Sequence, residues 1–221
     1  MTDEQAQTPP QNGDDTVEDV DMQRQRNVGV LMFDDVEVLD FAGPFEVFHV
    51  TGELNDPSPF NVFTIGVEEY PIETRGKLSV TPDWSLETTP PVDILLVPGG
   101  RGTRALLDND VLLDWLRDMA EQVELLLSVC TGSLLLGKAG LLNGIEATTH
   151  HGAYEELRKV APKAVVKENL RYIDSGKIIT SGGISAGIDM ALYVVQRLHD
   201  DAMVQKTSDY MEYTWNPAPE R

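Results

Sequence analysis

The sequence predicts a doubly wound α/β domain built on a mostly parallel sheet. Three observations predict it. From residue 27 onward, short apolar runs alternate with stretches of helical spacing. The apolar runs are hydrophobic at successive positions, not at every second one, as strands covered on both faces are. Glycine-rich or otherwise turn-forming residues follow several of these runs, where a doubly wound sheet turns from strand to helix.

Residues 1–26 carry almost no periodic apolar content and read as a disordered acidic tail, leaving 27–221 as the domain. Asn27–Phe33 (NVGVLMF) is a buried strand. Gly43–His49 is helical, with Pro44 placed in its first turn. Asn61–Gly66 is the next strand, Leu78–Val80 a short one, and Asp93–Val97 (DILLV) another buried run that ends at Pro98-Gly99-Gly100. Val111–Glu121 has helical spacing. Glu124–Val129 (ELLLSV) is a strand that runs into Cys130-Thr131-Gly132 and the helical Ser133–Ala139. Ile145–Thr149 is a further strand, and Ala153–Val160 a helix. Leu170–Thr180 has Ser175-Gly176 between two strand-like halves, which predicts a hairpin. Ala186–Leu198 is a long apolar helix.

Composition excludes several classes of function. The 221 residues are 41% hydrophobic and 24% charged, as expected of a globular chain with a sizeable core. No apolar run approaches the roughly 18 residues of a membrane-spanning helix. The start is polar and acidic, unlike a signal peptide, so a cytoplasmic location is expected. The single Cys130 excludes an internal disulfide or a cysteine-rich metal centre. Thirty-seven acids against 17 bases give a net charge of −20, which disfavours a nucleic-acid partner. Residues 1–23 hold seven of those acids and no base, so the remainder still carries 30 acids and 17 bases. So acidic a body predicts a salt-adapted protein, whose self-repulsion is screened at high ionic strength.

In a parallel sheet, ligands bind beyond the carboxyl ends of the strands. Four such ends carry candidate residues: Asp40 after the first strand, Gly99-Gly100, Cys130-Thr131-Gly132, and His150-His151. Cys130 lies between a strand and a helix, where a nucleophile elbow is built. The helix N-terminus is expected there to lower the thiol pKa. Gly100 is a candidate oxyanion-stabilising amide, and its alternative is a plain turn. Asp40 is either a helix cap ahead of Gly43-Pro44 or a site acid whose pKa burial would raise. His150 and His151 invite a Cys–His pairing, against ordinary loop histidines. His199 reads as a cationic helix terminus and His49 as a helix residue. Four scattered histidines with no cysteine pair predict no metal site.

Together the segments VGVLMFDDVEVLDFAGPFEVF, ILLVPGG, LLLSVCTGSLLLGKAGLLNGIEATTHH and TSGGISAGIDMAL resemble the ThiJ/PfpI superfamily, with its class I glutamine-amidotransferase-like fold. Within it, LDFAGP and SVCTGSLLLGKAGLLNGIEATTH are most similar to the isonitrile hydratase subgroup and to the sensor domains of AraC-type regulators. The resemblance covers nearly all of residues 27–216. It implies a flavodoxin-like domain, usually a homodimer, with Cys130 as nucleophile, Asp40 as its acidic partner and a role for Thr131. It implies hydration of a small isonitrile to an N-substituted formamide, with no cofactor. A glyoxalase- or deglycase-like reaction on small 2-oxoaldehydes and a non-enzymatic cysteine redox sensor stay open as alternatives.

The departures narrow this further. Thr131 stands where the peptidase branch has histidine. Ser128 stands where glutaminases have glycine, and no late His-x-Glu occurs. The oxoaldehyde branch usually has Glu where Asp40 stands, and its histidine matches His150 loosely. The DNA-binding role of the AraC-type regulators sits poorly with this acidity.

The charge balance makes a first prediction. Melting temperature should rise between about 0.1 M and above 1 M KCl, where the Debye length shrinks from about 10 Å to about 3 Å. A flat or falling melting temperature would contradict salt adaptation.

Overall fold

The computed structural model describes residues 24–67, 70–215 and 217. The expected disordered tail falls mostly outside the described residues. In chain order the elements are β1 (Arg26–Met32), α1 (Val38–Glu53), β2 (Phe60–Gly66), β3 (Ile72–Glu73), β4 (Ser79–Val80), β5 (Trp84–Ser85), β6 (Ile94–Val97), α2 (Thr103–Leu106), α3 (Asp110–Gln122), β7 (Leu125–Val129), α4 (Gly132–Lys138) and β8 (Glu146–Ala147). A 3₁₀ turn (His151–Ala153) then leads to α5 (Tyr154–Val160), β9 (Val165–Val166), β10 (Tyr172–Asp174), β11 (Ile178–Ser181), α6 (Ala186–Leu198) and α7 (Asp201–Tyr210).

The central sheet has seven strands in the order β10-β11-β7-β6-β1-β2-β5. All pairs are parallel except β10–β11, which is the hairpin expected over Leu170–Thr180. The doubly wound expectation therefore holds. The strands β2-β1-β6-β7-β11 follow the 2-1-3-4-5 order of flavodoxin-like folds, with the chain reversing direction across the sheet between β1 and β6. Val28, Val30, Ile94–Val97 and Leu125–Val129 are all buried, which is why their runs lack a period of two.

Several elements depart from expectation. Helix α1 begins at Val38, five residues before Gly43, so Pro44 lies inside it. A proline there leaves the Asp40 carbonyl without its helical partner, since Pro has no N–H. The helix persists because it is buried between the sheet and α6. A Cβ on Gly43 would lie 2.8 Å from Ile188, and one on Gly187 would lie 3.2 Å from Pro44. Asp40 is thus inside the first helical turn and is not a cap; Glu37 occupies the cap position. The expected strand Ile145–Thr149 shrinks to β8, which pairs with β9 outside the main sheet. The short strand near Val80 pairs with β3 in a separate hairpin. Strand β5 and helices α2 and α7, which carry weaker apolar signals, were not expected. Helix α6 matches its predicted limits.

The first strand starts at Arg26, one residue before the expected boundary. The Arg26 side chain is 2% exposed, donates from Nε to Glu124 at 2.8 Å and from Nη2 at 3.2 Å, and its N–H reaches Pro59 O at 2.8 Å. His199 closes α6 in the same region, and burial followed by the Arg26 charge lowers its pKa. It is therefore biased to the neutral form, against the expected cationic terminus. Among the described residues, no helix is long and apolar enough to cross a membrane.

These contacts predict where truncation begins to matter. A chain starting at Arg24 should melt above one starting at Asn27, because the second strands Glu124. Loss of such a charged hydrogen-bonded pair costs about 1–3 kcal/mol, and each kcal/mol shifts Tm by about 2–4 °C at this size. Equal melting temperatures would show that Arg26 contributes nothing.

Candidate functional site

Three adjacent strands, β1, β6 and β7, deliver the site at the carboxyl edge of the sheet, beside the reversal point. Strand β7 ends at Val129, and Cys130 turns the chain with φ +55 before α4 begins. That left-handed conformation is unfavourable for a non-glycine residue and persists only where surroundings enforce it. The Cys130 N–H is shared between Gly182 O at 3.0 Å and Ser181 O at 3.2 Å. Its carbonyl accepts from Thr149 Oγ1 at 2.8 Å and Ser133 Oγ at 3.1 Å. A Cβ on Gly132 would lie 2.1 Å from Val97 O, so only glycine lets α4 start this close to β6.

Asp40 comes from the first turn of α1 and is 0% exposed. Its Oδ2 accepts the Gly99 N–H at 3.1 Å. Its Oδ1 is buried and makes no hydrogen bond of ordinary geometry among the described residues. The Cys130 thiol and the Ile184 N–H lie close enough to favour a charge on this carboxyl, but less than burial opposes it. Desolvation dominates, with a smaller push from Glu37, and the Asp40 pKa rises to about 7. The expected increase is present.

The thiol moves opposite to expectation. Burial, and then the charge of Asp40, push Cys130 up to about 12. The Thr131 N–H and hydroxyl pull the other way and are outweighed. A side chain 7% exposed with a carboxyl against it cannot ionise freely, whatever the helix N-terminus offers. The two groups therefore act as one unit that holds a single negative charge over a wide pH range.

Thr131 stands at the N-terminal boundary of α4, makes no side-chain hydrogen bond to the helix, and is buried. Its Oγ1 accepts the Gly100 N–H at 3.0 Å and lies 3.1 Å from Gly100 O. The Gly100 amide is thus spent on Thr131 and the Gly99 amide on Asp40. The Gly-Gly loop holds two site side chains in place, and its amides are not turned toward an anion in the pocket. Side chains could not replace these glycines: a Cβ on Gly99 would meet Thr131 N at 2.5 Å, and one on Gly100, with φ +136, would meet Asp35 O at 2.3 Å.

Cys130, Thr131, Gly100, His150 and Ile184 line one pocket of about 180 Å³. His150 Nδ1 accepts the Gly152 N–H at 3.1 Å, so a neutral ring carries its hydrogen on Nε2. The ring packs over Gly183, where a Cβ would come within 2.1 Å of it. His151 is exposed and its ring lies against His150, with centroids 4.2 Å apart and planes tilted by 35°. His49 lies on α1 near Glu53. Among the described residues, no group of three His, Cys, Asp or Glu side chains could hold a metal ion.

Ile184 and Thr149 were not singled out from sequence. Ile184 has φ +56, a strained conformation for a β-branched residue, and sits between the Gly182-Gly183 turn and α6. The glycine pair ahead of it was the available signal. Thr149 ends the expected strand Ile145–Thr149 and holds the elbow carbonyl, a role that its type alone does not announce.

Comparison with known proteins agrees with this arrangement. A family model described as the DJ-1/PfpI family matches residues 26–197. The isonitrile hydratase of Pseudomonas putida is 36% identical over 192 residues, covering 87% of this chain and 79% of that protein. The transcriptional regulator GbdR of Pseudomonas aeruginosa is 26% identical over 205 residues, and the match spans 93% of this chain but 53% of the regulator. A ThiJ/PfpI family protein from Pseudomonas syringae superposes with a TM-score of 0.79 at 27% identity, covering 95% of this chain and 84% of that one. Drosophila melanogaster DJ-1beta shares the fold, with a TM-score of 0.75 at 19% identity, covering 87% of this chain and 100% of its own. The parallel sheet, the strained cysteine after β7 and these likenesses agree: the chain belongs to the DJ-1/PfpI family.

Proposed function

We propose that this protein hydrates a small isonitrile to an N-substituted formamide through Cys130 and Asp40. The observation that carries this reading is the buried carboxyl with a pKa near 7 set against the single thiol. Likeness to an isonitrile hydratase at 36% identity supports it. A redox sensor needs an accessible thiolate, and burial with a thiol pushed up to about 12 works against that.

The resting pair is a neutral thiol beside a carboxylate. The terminal carbon of an isonitrile accepts a nucleophile and carries a lone pair that accepts a proton. As sulfur bonds to that carbon, Asp40 takes the thiol proton and delivers it to the same carbon, giving a thioimidate. Water then adds to the carbon. One of its protons passes through Asp40 to nitrogen, and the C–S bond breaks. The remaining hydroxyl proton returns to sulfur as the formamide forms. One water is consumed and nothing is oxidised or reduced. Thr131 positions the pair: its N–H supports the sulfur as it leaves with negative charge. His150 lines the same pocket.

Incubating the purified protein with cyclohexyl isocyanide and with methylglyoxal tests this. Formamide from the first substrate and no turnover of the second is the expected result. Turnover of methylglyoxal alone would replace the reading with oxoaldehyde chemistry.

Cys130→Ser should lower kcat/KM by at least about 10³-fold, because a hydroxyl gives up its proton to Asp40 far less readily than a thiol and its oxygen is the weaker nucleophile. Asp40→Asn, which keeps size but cannot carry the proton, should cost about 10²–10⁴-fold. In the wild type, kcat/KM should rise with pH through about 7, as Asp40 loses its proton, then stay level into the alkaline range. A profile with no inflection near 7 would separate Asp40 from the chemistry.

Stability should carry the same signature. The Asp40 pKa is raised on folding from 3.8 to about 7. The protonated carboxyl therefore stabilises the native state fully below about pH 4, and this is lost as pH rises through 7. Asp40→Asn should gain Tm relative to the wild type from pH 4 to pH 8, on the same shift. Parallel curves would show an unperturbed carboxyl.

A further inference from the structure

The pocket's rim carries Arg75, Arg101 and Arg104, although the chain has only 17 basic residues against 37 acids. Two of the three are neutralised where they stand. Arg75 pairs with Glu37 at 2.7 Å, and Arg104 with Glu156 at 2.6 Å. The Arg101 side chain has no hydrogen bond or ion pair among the described residues. Every other described arginine has a carboxylate partner. An uncompensated guanidinium at the mouth of a nucleophile pocket, in so acidic a chain, needs a reason.

Its tether is rigid. Arg101 follows Gly100, whose N–H and carbonyl are both held by Thr131, with Arg104 and Thr103 also donating to the carbonyl. The chain therefore fixes where the Arg101 side chain starts. Asp40 and Cys130 are titrated chiefly by burial, by each other, by Glu37 and by nearby hydrogen bonds, with Arg101 outside that set. The guanidinium is thus not spent on the thiol. The acidic surface would repel an anion at long range, but at physiological salt charges beyond about 8 Å are largely screened, so the rim decides.

We propose that Arg101 is the specificity residue of this pocket and that the substrate carries a carboxylate, which the guanidinium fork binds while Cys130 attacks the other end. Given the hydratase reading above, on which the substrate's reactive group rests, the substrate class is a small isocyanocarboxylate. A volume of about 180 Å³ suits a molecule of this size. The planar guanidinium binds a carboxylate in two parallel hydrogen bonds, which a lysine cannot reproduce.

The single cysteine allows a test that does not depend on turnover. Cys130 is alkylated with iodoacetate, an anion, and with iodoacetamide, its neutral counterpart, and the ratio of the two rates is compared between the wild type, Arg101→Gln and Arg101→Lys. Any change in thiol reactivity cancels in the ratio. Arg101→Gln should lower the ratio about tenfold, with Arg101→Lys in between. In steady state, Arg101→Gln should raise KM for isocyanoacetate at least about tenfold relative to KM for cyclohexyl isocyanide. Equal alkylation ratios in wild type and Arg101→Gln would overturn the anion subsite, even if isonitriles are turned over. A ratio that depends on Arg101 without any isonitrile turnover would keep the subsite and remove the hydratase reading.

Discussion

Burial of the Asp40 carboxyl against the Cys130 thiol is the constraint around which the rest of the site is arranged. Neither group can ionise independently in that environment, so one raises its pKa to about 7 and the other to about 12. Both must then be held rigidly, because a carboxyl and a thiol that share a charge gain nothing if either can swing to water. The structure supplies that rigidity through backbone. The Gly99 amide holds Asp40, the Gly100 amide holds Thr131, and Ser181, Gly182, Thr149 and Ser133 hold the strained peptide of Cys130.

The close approach of three chain segments follows from this. Asp40 leaves the chain after β1, the glycine pair after β6 and the cysteine after β7, and these strands are neighbours in the sheet. For their loops to touch, side chains must be absent at the crossings. Gly99 and Gly132 each sit where a Cβ would lie 2.5 Å or less from a backbone atom of a neighbouring segment, Thr131 N for the first and Val97 O for the second. The same requirement explains a proline inside α1: the packing of Gly43 and Pro44 against α6 stabilises the helix despite a missing hydrogen bond. Local propensity gives way to burial there.

Much of the fold was legible because its strands are buried on both faces, and buried strands write themselves as unbroken apolar runs. The runs at β1, β2, β6 and β7 show that pattern, whereas the β10–β11 hairpin is marked by Ser175-Gly176 between two strand-like halves and α6 by a long apolar helical stretch. What escaped were elements too short or too polar to carry it. The run at Ile145–Thr149 looked like another sheet strand, but β8 pairs only with β9, since hydrophobicity does not say which partner a strand takes. Helix α1 starts ahead of the proline that is a strong start signal, and nothing local marks that Gly43 and Pro44 pack against α6.

Residue types and their order therefore determined the parallel α/β class, the loop edge that holds the site, and the identities of Cys130, Asp40, Thr131, Gly100 and His150 as candidates. Tertiary structure decided what those residues are in physical terms. It turned the thiol pKa upward, because burial and a neighbouring carboxyl are properties of packing and not of the sequence around Cys130. It spent the Gly100 amide on Thr131, because hydrogen-bond partners come from segments 31 residues apart. It left Arg101 as the one described arginine without an acid, a distinction invisible in a chain with 37 carboxylates until their positions are known. Charge and nucleophilicity are written in the side chain, but pKa, partnership and direction depend on neighbours that only folding supplies.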